Sequence, residues 1–152
     1  MPIETATTDV SMGIIIDTSL LIASERGRFD LTAFLLAQGA SPVAISAITA
    51  SEMLHCIERA TNPHIRERRS RFVEALLSQF PVAPFGLPEA RCHARIWADL
   101  LVRGLPIGPH DLLIAATALG LGFSVATLNQ DEFRQVAGMH LLSVEGFALP
   151  RT

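Results

Sequence analysis

The sequence predicts an α/β fold, a three-layer α/β/α domain on a central parallel sheet of about five strands. Three observations carry this. Short β-branched or apolar runs alternate with longer stretches of helical period, the pattern of right-handed βαβ units with helices on both sheet faces. The first run, residues 13–16, is continuously apolar up to Asp17, as in a strand buried on both sides. Hydrophobic residues make up 49% of the chain but aromatics only 6%, so the core is aliphatic and alanine-rich, which suits helices on a sheet better than a sandwich. At 152 residues the chain forms one domain, expected over 12–147, between a disordered arm at 1–11 and a short tail at 148–152.

The elements follow in order. A helical turn spans 18–23 behind the first strand, and a helix covers 29–38, stopped by Gly39. Residues 43–46, VAIS, form the second strand, and 48–60 return to helical period. Pro63 opens a helix to residue 79, charged in its first half. A third strand is predicted at 82–85, then a helix from Pro88 to about Arg103. The loop GLPIGPHD leads into an alanine-rich helix at 111–121, closed by Gly120 and Gly122. A fourth strand is expected at 124–127, a helical turn at 130–136 and a fifth strand at 141–144.

Composition excludes several chemistries. All twelve basic residues are arginine, so the chain lacks the lysine of a phosphate-binding loop, a Schiff base or a Ser–Lys hydrolase. A receiver domain would need one too. A haloacid-dehalogenase-type phosphatase needs a second acid two residues after its nucleophile, where this chain has Ser19. Cys56 and Cys92 match no zinc spacing and read as reduced thiols. No apolar run reaches transmembrane length and the start carries no signal-peptide pattern, so a cytoplasmic protein is expected. A net charge of −3 argues against nonspecific polyanion binding.

Ligands of open parallel sheets bind at the carboxyl ends of the strands. Four acids can reach that edge: Asp17 after the first strand, Glu52 after the second, Asp111 at a helix start, and Asp131 after the fourth strand. Each also has a local reading. Asp17 could cap the following turn, Glu52 could complete a capping box with Thr49, and Asp111 and Asp131 could favour the helix dipole. Jointly, converging carboxylates repel one another unless a divalent cation offsets their charge, and hard oxygen ligands suit Mg²⁺ or Mn²⁺. Arg59, Arg66 and Arg69 are either a solvated helix face or phosphate contacts beside the acids. His55 and His110 read as partners rather than catalysts, leaving a metal-free histidine mechanism as a minor reading.

The segments IIIDTSLLI, ITASEML and GLPIGPHDLLIAATALGLGFSVATLNQDEF together resemble the PIN-domain family, specifically its VapC-type toxin ribonucleases. The resemblance runs from Met12 to about Val144 and implies a PIN-like fold and endoribonuclease activity. By it, Asp17, Glu52, Asp111 and Asp131 are the catalytic acids, and Asp17, Asp111 and Asp131 hold Mg²⁺ (or Mn²⁺). Asn129 or Glu132 could complete the site in place of Asp131. Thr18, Ser19, Thr127 and Asn129 are the neighbours that orient carboxylates or substrate. RNA, a cognate antitoxin and a second copy of the chain are the implied partners, with no membrane. The rivals are a noncatalytic interaction module and a PIN nuclease of RNA processing.

Overall fold

The computed structural model describes residues 12–151. The arm expected at 1–11 lies outside them. Strand β1 (Ile14–Ile16) is flanked by β2 (Val43–Ser46) and β4 (Ser124–Ala126), with β3 (Val82–Ala83) beyond β2, giving the order β3-β2-β1-β4. All pairings are parallel, with Ile14 opposite Val43 and Ser124, and Ile45 opposite Val82. The central position of β1 explains its unbroken apolar run. Ile14 and Ile16 enter one core and Ile15 the other, so no position faces water.

Four helices cover the first face: α1 (Thr18–Glu25), α2 (Leu31–Ala37), α3 (Ala47–Glu58) and α4 (Pro63–Gln79). They bury Leu20, Leu21, Phe34, Met53 and Val73 against Ile14, Ile16 and Ile45. The second face carries α5 (Leu87–Arg103), α6 (Pro109–Leu121) and α7 (Gln130–Arg134), which pack Ile96, Leu100, Ile114, Ala115 and Phe133 against Ile15 and Val125. Alanines on α6 allow close approach to the sheet, the use expected of an alanine-rich core. Local chemistry sets the helix limits. Asn62 caps α4 through its side-chain oxygen, with Pro63 in the first turn. Gly104 and Gly122 end α5 and α6 at φ 66 and 70, values that an L side chain rarely adopts.

Two expectations change. The sheet has four strands among the described residues, because the segment predicted as a fifth touches it only at Leu141. There the Val125 N–H donates to the His140 carbonyl at 2.9 Å, and the Leu142 N–H to the Val125 carbonyl at 3.0 Å. The chain then turns into a 3₁₀ segment, Glu145–Phe147, before a ladder can form. The expected tail is tied at its start, where Ala148 bridges Phe29 and the Leu149 N–H donates to the Arg28 carbonyl at 2.8 Å. No helix among the described residues is long and apolar enough to cross a membrane.

This topology gathers helix starts at one edge. The strands are parallel, so α1, α3 and α7 begin where β1, β2 and β4 end. Helix α6 leads back into β4, and its first turn therefore lies at that same edge.

Candidate active site

Asp17 occupies the junction of β1 and α1 and is 1% exposed. It holds the N-cap position of α1, yet its side chain makes no capping bond. Instead, Oδ2 accepts the Ser19 and Thr127 hydroxyls, each at 2.7 Å. Those hydroxyls accept in turn from backbone: Ser19 Oγ from the Leu128 N–H at 3.0 Å, Thr127 Oγ1 from the Asn129 N–H at 2.9 Å. The carboxylate is thus fastened through two hydroxyls to the end of β4. Its other oxygen, Oδ1, is buried with no hydrogen-bond partner. An unpartnered buried carboxylate oxygen is costly and points to a missing cationic or proton-donating neighbour.

Glu52 lies in the second turn of α3, and its carboxylate reaches across to α1. Oε1 accepts from Thr18 Oγ1 at 2.9 Å, and Thr18 Oγ1 also lies 3.0 Å from Thr49 Oγ1. Ser46 supports the row: its hydroxyl donates to Thr49 Oγ1 at 3.1 Å and accepts the Thr49 N–H at 2.9 Å. Ser46, not Thr49, therefore caps α3, and Glu52 is released from the capping-box role. Its Oε2 lies 3.6 Å from Nδ1 of the exposed His110. Ser46 was not singled out from the sequence, and Thr49 was named only as a capping partner of Glu52. Their signal is a serine and a threonine three residues apart at a strand-to-helix junction, which marks a cap.

Asp111 stands in the first turn of α6, where Asn129 Nδ2 donates to its Oδ2 at 3.4 Å. Its pKa is raised from 3.8 to about 7. Burial is the main cause, followed by a hydrogen bond with Glu132 and the charges of Asp17 and Glu132, partly offset by the Asn129 bond. Asp111 thus holds its proton more tightly than a free aspartate, with Glu132 as hydrogen-bond partner and Asp17 close enough to oppose its ionisation. Desolvation combined with like charge marks a functional-site candidate.

The structure thus brings together Asp17, Asp111, Asn129, Thr127, Ser19 and Glu132, with Thr18 and Glu52 adjoining. It does not bring in Asp131, whose side chain is 97% exposed and bonded to Arg134 at 2.9 Å. Neighbours on a helix point about 100° apart, and Phe133, buried in the core, sets the rotation of α7. That rotation turns Glu132 toward Asp111 and Asp131 to solvent. The i,i+3 pairing of Asp131 with Arg134 was the sequence signal for a surface role. Of the three arginines singled out, Arg66 pairs with Glu58 at 3.4 Å and Arg59 ends α3. Arg69 donates to the Cys56 carbonyl at 3.1 Å.

The donor set is hard oxygen: the free Asp17 Oδ1, the Asp111 and Glu132 carboxyls and the Asn129 amide. Its chemistry suits a divalent cation of the Mg²⁺ or Mn²⁺ type. As the side chains stand, no three acidic, histidine or cysteine groups among the described residues form a ready metal cage.

The three-layer fold has counterparts among known proteins. The chain matches the PIN domain over residues 14–139 and belongs to that family. Within it, the chain is 39% identical over 133 residues to ribonuclease VapC1 of Rickettsia felis, covering 88% of this chain and 97% of the relative. It is 32% identical over 117 residues to the tRNA(fMet)-specific endonuclease VapC of Shigella flexneri, covering 77% and 81%. The crystal structure of DNA-bound VapBC from Salmonella typhimurium contains a chain that superposes with a TM-score of 0.77 at 27% identity, covering 86% and 97%.

Proposed function

We propose that this chain is a VapC-type endoribonuclease, the toxin of a toxin–antitoxin pair, which hydrolyses RNA phosphodiesters at the Asp17–Asp111 edge with the help of a divalent cation. The observation that carries the chemistry is the buried Asp17 carboxylate with one oxygen unpartnered, beside an Asp111 whose pKa is raised to about 7. The activity and the antitoxin partner follow from the relatives named ribonuclease VapC and from the VapBC complex that the fold matches.

Asp17, Asp111 and Glu132 would hold the cation, which when bound supplies Lewis acidity toward the scissile phosphate and an attacking water. The chain's own groups do the positioning. Ser19 and Thr127 keep Asp17 in one rotamer, so its free oxygen needs no rearrangement during reaction. Thr18 fixes one oxygen of Glu52, leaving Oε2 as the base that orients the water and takes its proton. His110 stands beside that oxygen, its Nδ1 3.6 Å from Oε2. No covalent nucleophile is needed.

The test is cleavage of RNA in Mg²⁺ or Mn²⁺, with and without EDTA, starting with the initiator tRNA named for the Shigella relative. Cutting that EDTA abolishes, and that Asp17→Asn loses, is expected. Wild-type protein that cuts no RNA, or cutting indifferent to both changes, overturns the reading in favour of a noncatalytic module. Mn²⁺ should also raise the Tm of the wild type and not of Asp17→Asn.

A further inference from the structure

A second feature lies on the same seam as the catalytic acids. Thr18 of α1 and Glu52 of α3 touch across that seam, and one helical turn further along stand Ile22 and Cys56. These two residues line a cleft of about 510 Å³ whose rim is Arg26, Arg28, Arg68 and Arg69, with Glu25 as its one acid. Four of the chain's twelve arginines thus converge from two distant segments, the turn after α1 and the middle of α4. None of the four forms an ion pair among the described residues, whereas Arg66, Arg71, Arg103 and Arg134 each do. Arg69 is held in place by the Cys56 carbonyl at 3.1 Å.

We infer that this cleft is a phosphate-backbone site for single-stranded RNA, separate from the carboxylates and placed to hold the strand that crosses them. The inference rests on the endoribonuclease reading above. The chain carries a net charge of −3 and presents several acids at its reacting edge, so RNA must be drawn by a local positive surface. Planar guanidinium groups engage phosphate oxygens in pairs, and unpaired ones incur no loss of an internal ion pair on doing so. Distance suits the substrate. From Asp17 to Arg26 is nine residues of helix, about 13 Å at 1.5 Å per residue, a span of a few nucleotides. The cleft lining offers arginines and no aromatic ring on which a base could stack, so it positions the strand and does not read its sequence.

The probe is a single-stranded RNA oligonucleotide, titrated in EDTA so that binding is measured without cleavage, at several salt concentrations. The variant is the triple Arg26→Gln, Arg28→Gln, Arg68→Gln, which leaves Arg69 and its carbonyl bond in place. Expected is a loss of affinity of about tenfold or more at 0.1 M salt, with the slope of log K against log salt falling by about 2, for three lost contacts on a single strand. Arg71→Gln, on the exposed side of α4 and paired with Glu67, serves as a folded control that keeps RNA binding. An unchanged Kd and slope in the triple variant overturns the inference, as does wild-type protein that does not bind the RNA. A poly-glutamate peptide is titrated in parallel; if the variant loses only peptide binding, the cleft serves an acidic protein segment and the RNA inference fails. Wild-type protein that binds RNA through the cleft but never cuts it leaves this inference standing and overturns the nuclease reading. Cleaving protein whose RNA binding ignores the three arginines does the reverse.

Discussion

The ends of β1 and β4 meet at one edge of the sheet yet treat their acids in opposite ways. At β1 the chain enters a helix at once, so Asp17 is trapped between sheet and helix, 1% exposed and bonded by two hydroxyls. At β4 three residues, Thr127, Leu128 and Asn129, intervene before α7, and the acids that follow ride on a short helix. One of them, Asp131, is left in water with Arg134, while its neighbour Glu132 meets Asp111. A junction without a loop fixes a side chain by backbone direction alone, whereas a junction with a loop leaves the outcome to helix rotation. The two ends are also joined, since Thr127 closes β4 and holds Asp17.

The sharpest break of this contrast is Asp17→Asn. An amide that keeps its oxygen as the acceptor for Ser19 and Thr127 places an NH₂ donor where the unpartnered oxygen stood. Cleavage should fall by about 10²–10³-fold or more with far-UV circular dichroism unchanged, as measured by single-turnover assay. Next, Glu132→Gln should lower activity by about 10–100-fold. Asp131→Asn should change it by less than about twofold, because an exposed ion pair contributes little. Equal effects of the two substitutions would erase the proposed distinction along α7.

The pH dependence follows from Asp111. Its folded pKa of about 7 exceeds the 3.8 of an unperturbed aspartate, so the folded metal-free protein holds a proton that the unfolded chain releases. That contribution to stability is fully present below about pH 4 and is lost as pH rises through about 7. Chelated protein should therefore lose Tm progressively over this window, and Glu132→Gln should shift the loss to lower pH. A cation bound through Asp111 would compete with its proton, so under the proposed function Mn²⁺ affinity should rise with pH up to about 7 by calorimetry. The smallest effect tests the link between the strand ends. Thr127→Val removes one donor from Asp17 and the acceptor of the Asn129 N–H, at a cost of about 1–3 kcal/mol in urea unfolding.

Much of this was legible beforehand. The unbroken apolar run into Asp17 marked a central buried strand, and the alternation of periods gave parallel βαβ units with a common carboxyl edge. From that edge rule alone, Asp17, Glu52, Asp111 and Asp131 were grouped, because each follows a strand or opens a helix running back to one; the side chain of Asp131 turns to solvent. Legibility failed where side-chain direction depended on contacts distant in sequence. Glu52 had the spacing of a capping box with Thr49, but Ser46 took the cap and freed Glu52 for Thr18, a partner 34 residues away. The fifth strand had the right residues and only one point of contact with β4.

The sequence by itself therefore determined the class of fold, the edge on which the acids gather and the oxygen character of the site, because hydrophobic period and strand–helix order are local properties of the chain. Only the tertiary structure set Asp131 in solvent and Glu132 beside Asp111, left an oxygen of Asp17 without a partner, raised the pKa of Asp111 and brought Arg26 and Arg28 to Arg68 and Arg69. Each of those outcomes depends on burial and on contacts between segments far apart in the chain. One residue of helix turns a side chain by about 100°, so even adjacent acids part company once packing has fixed the rotation.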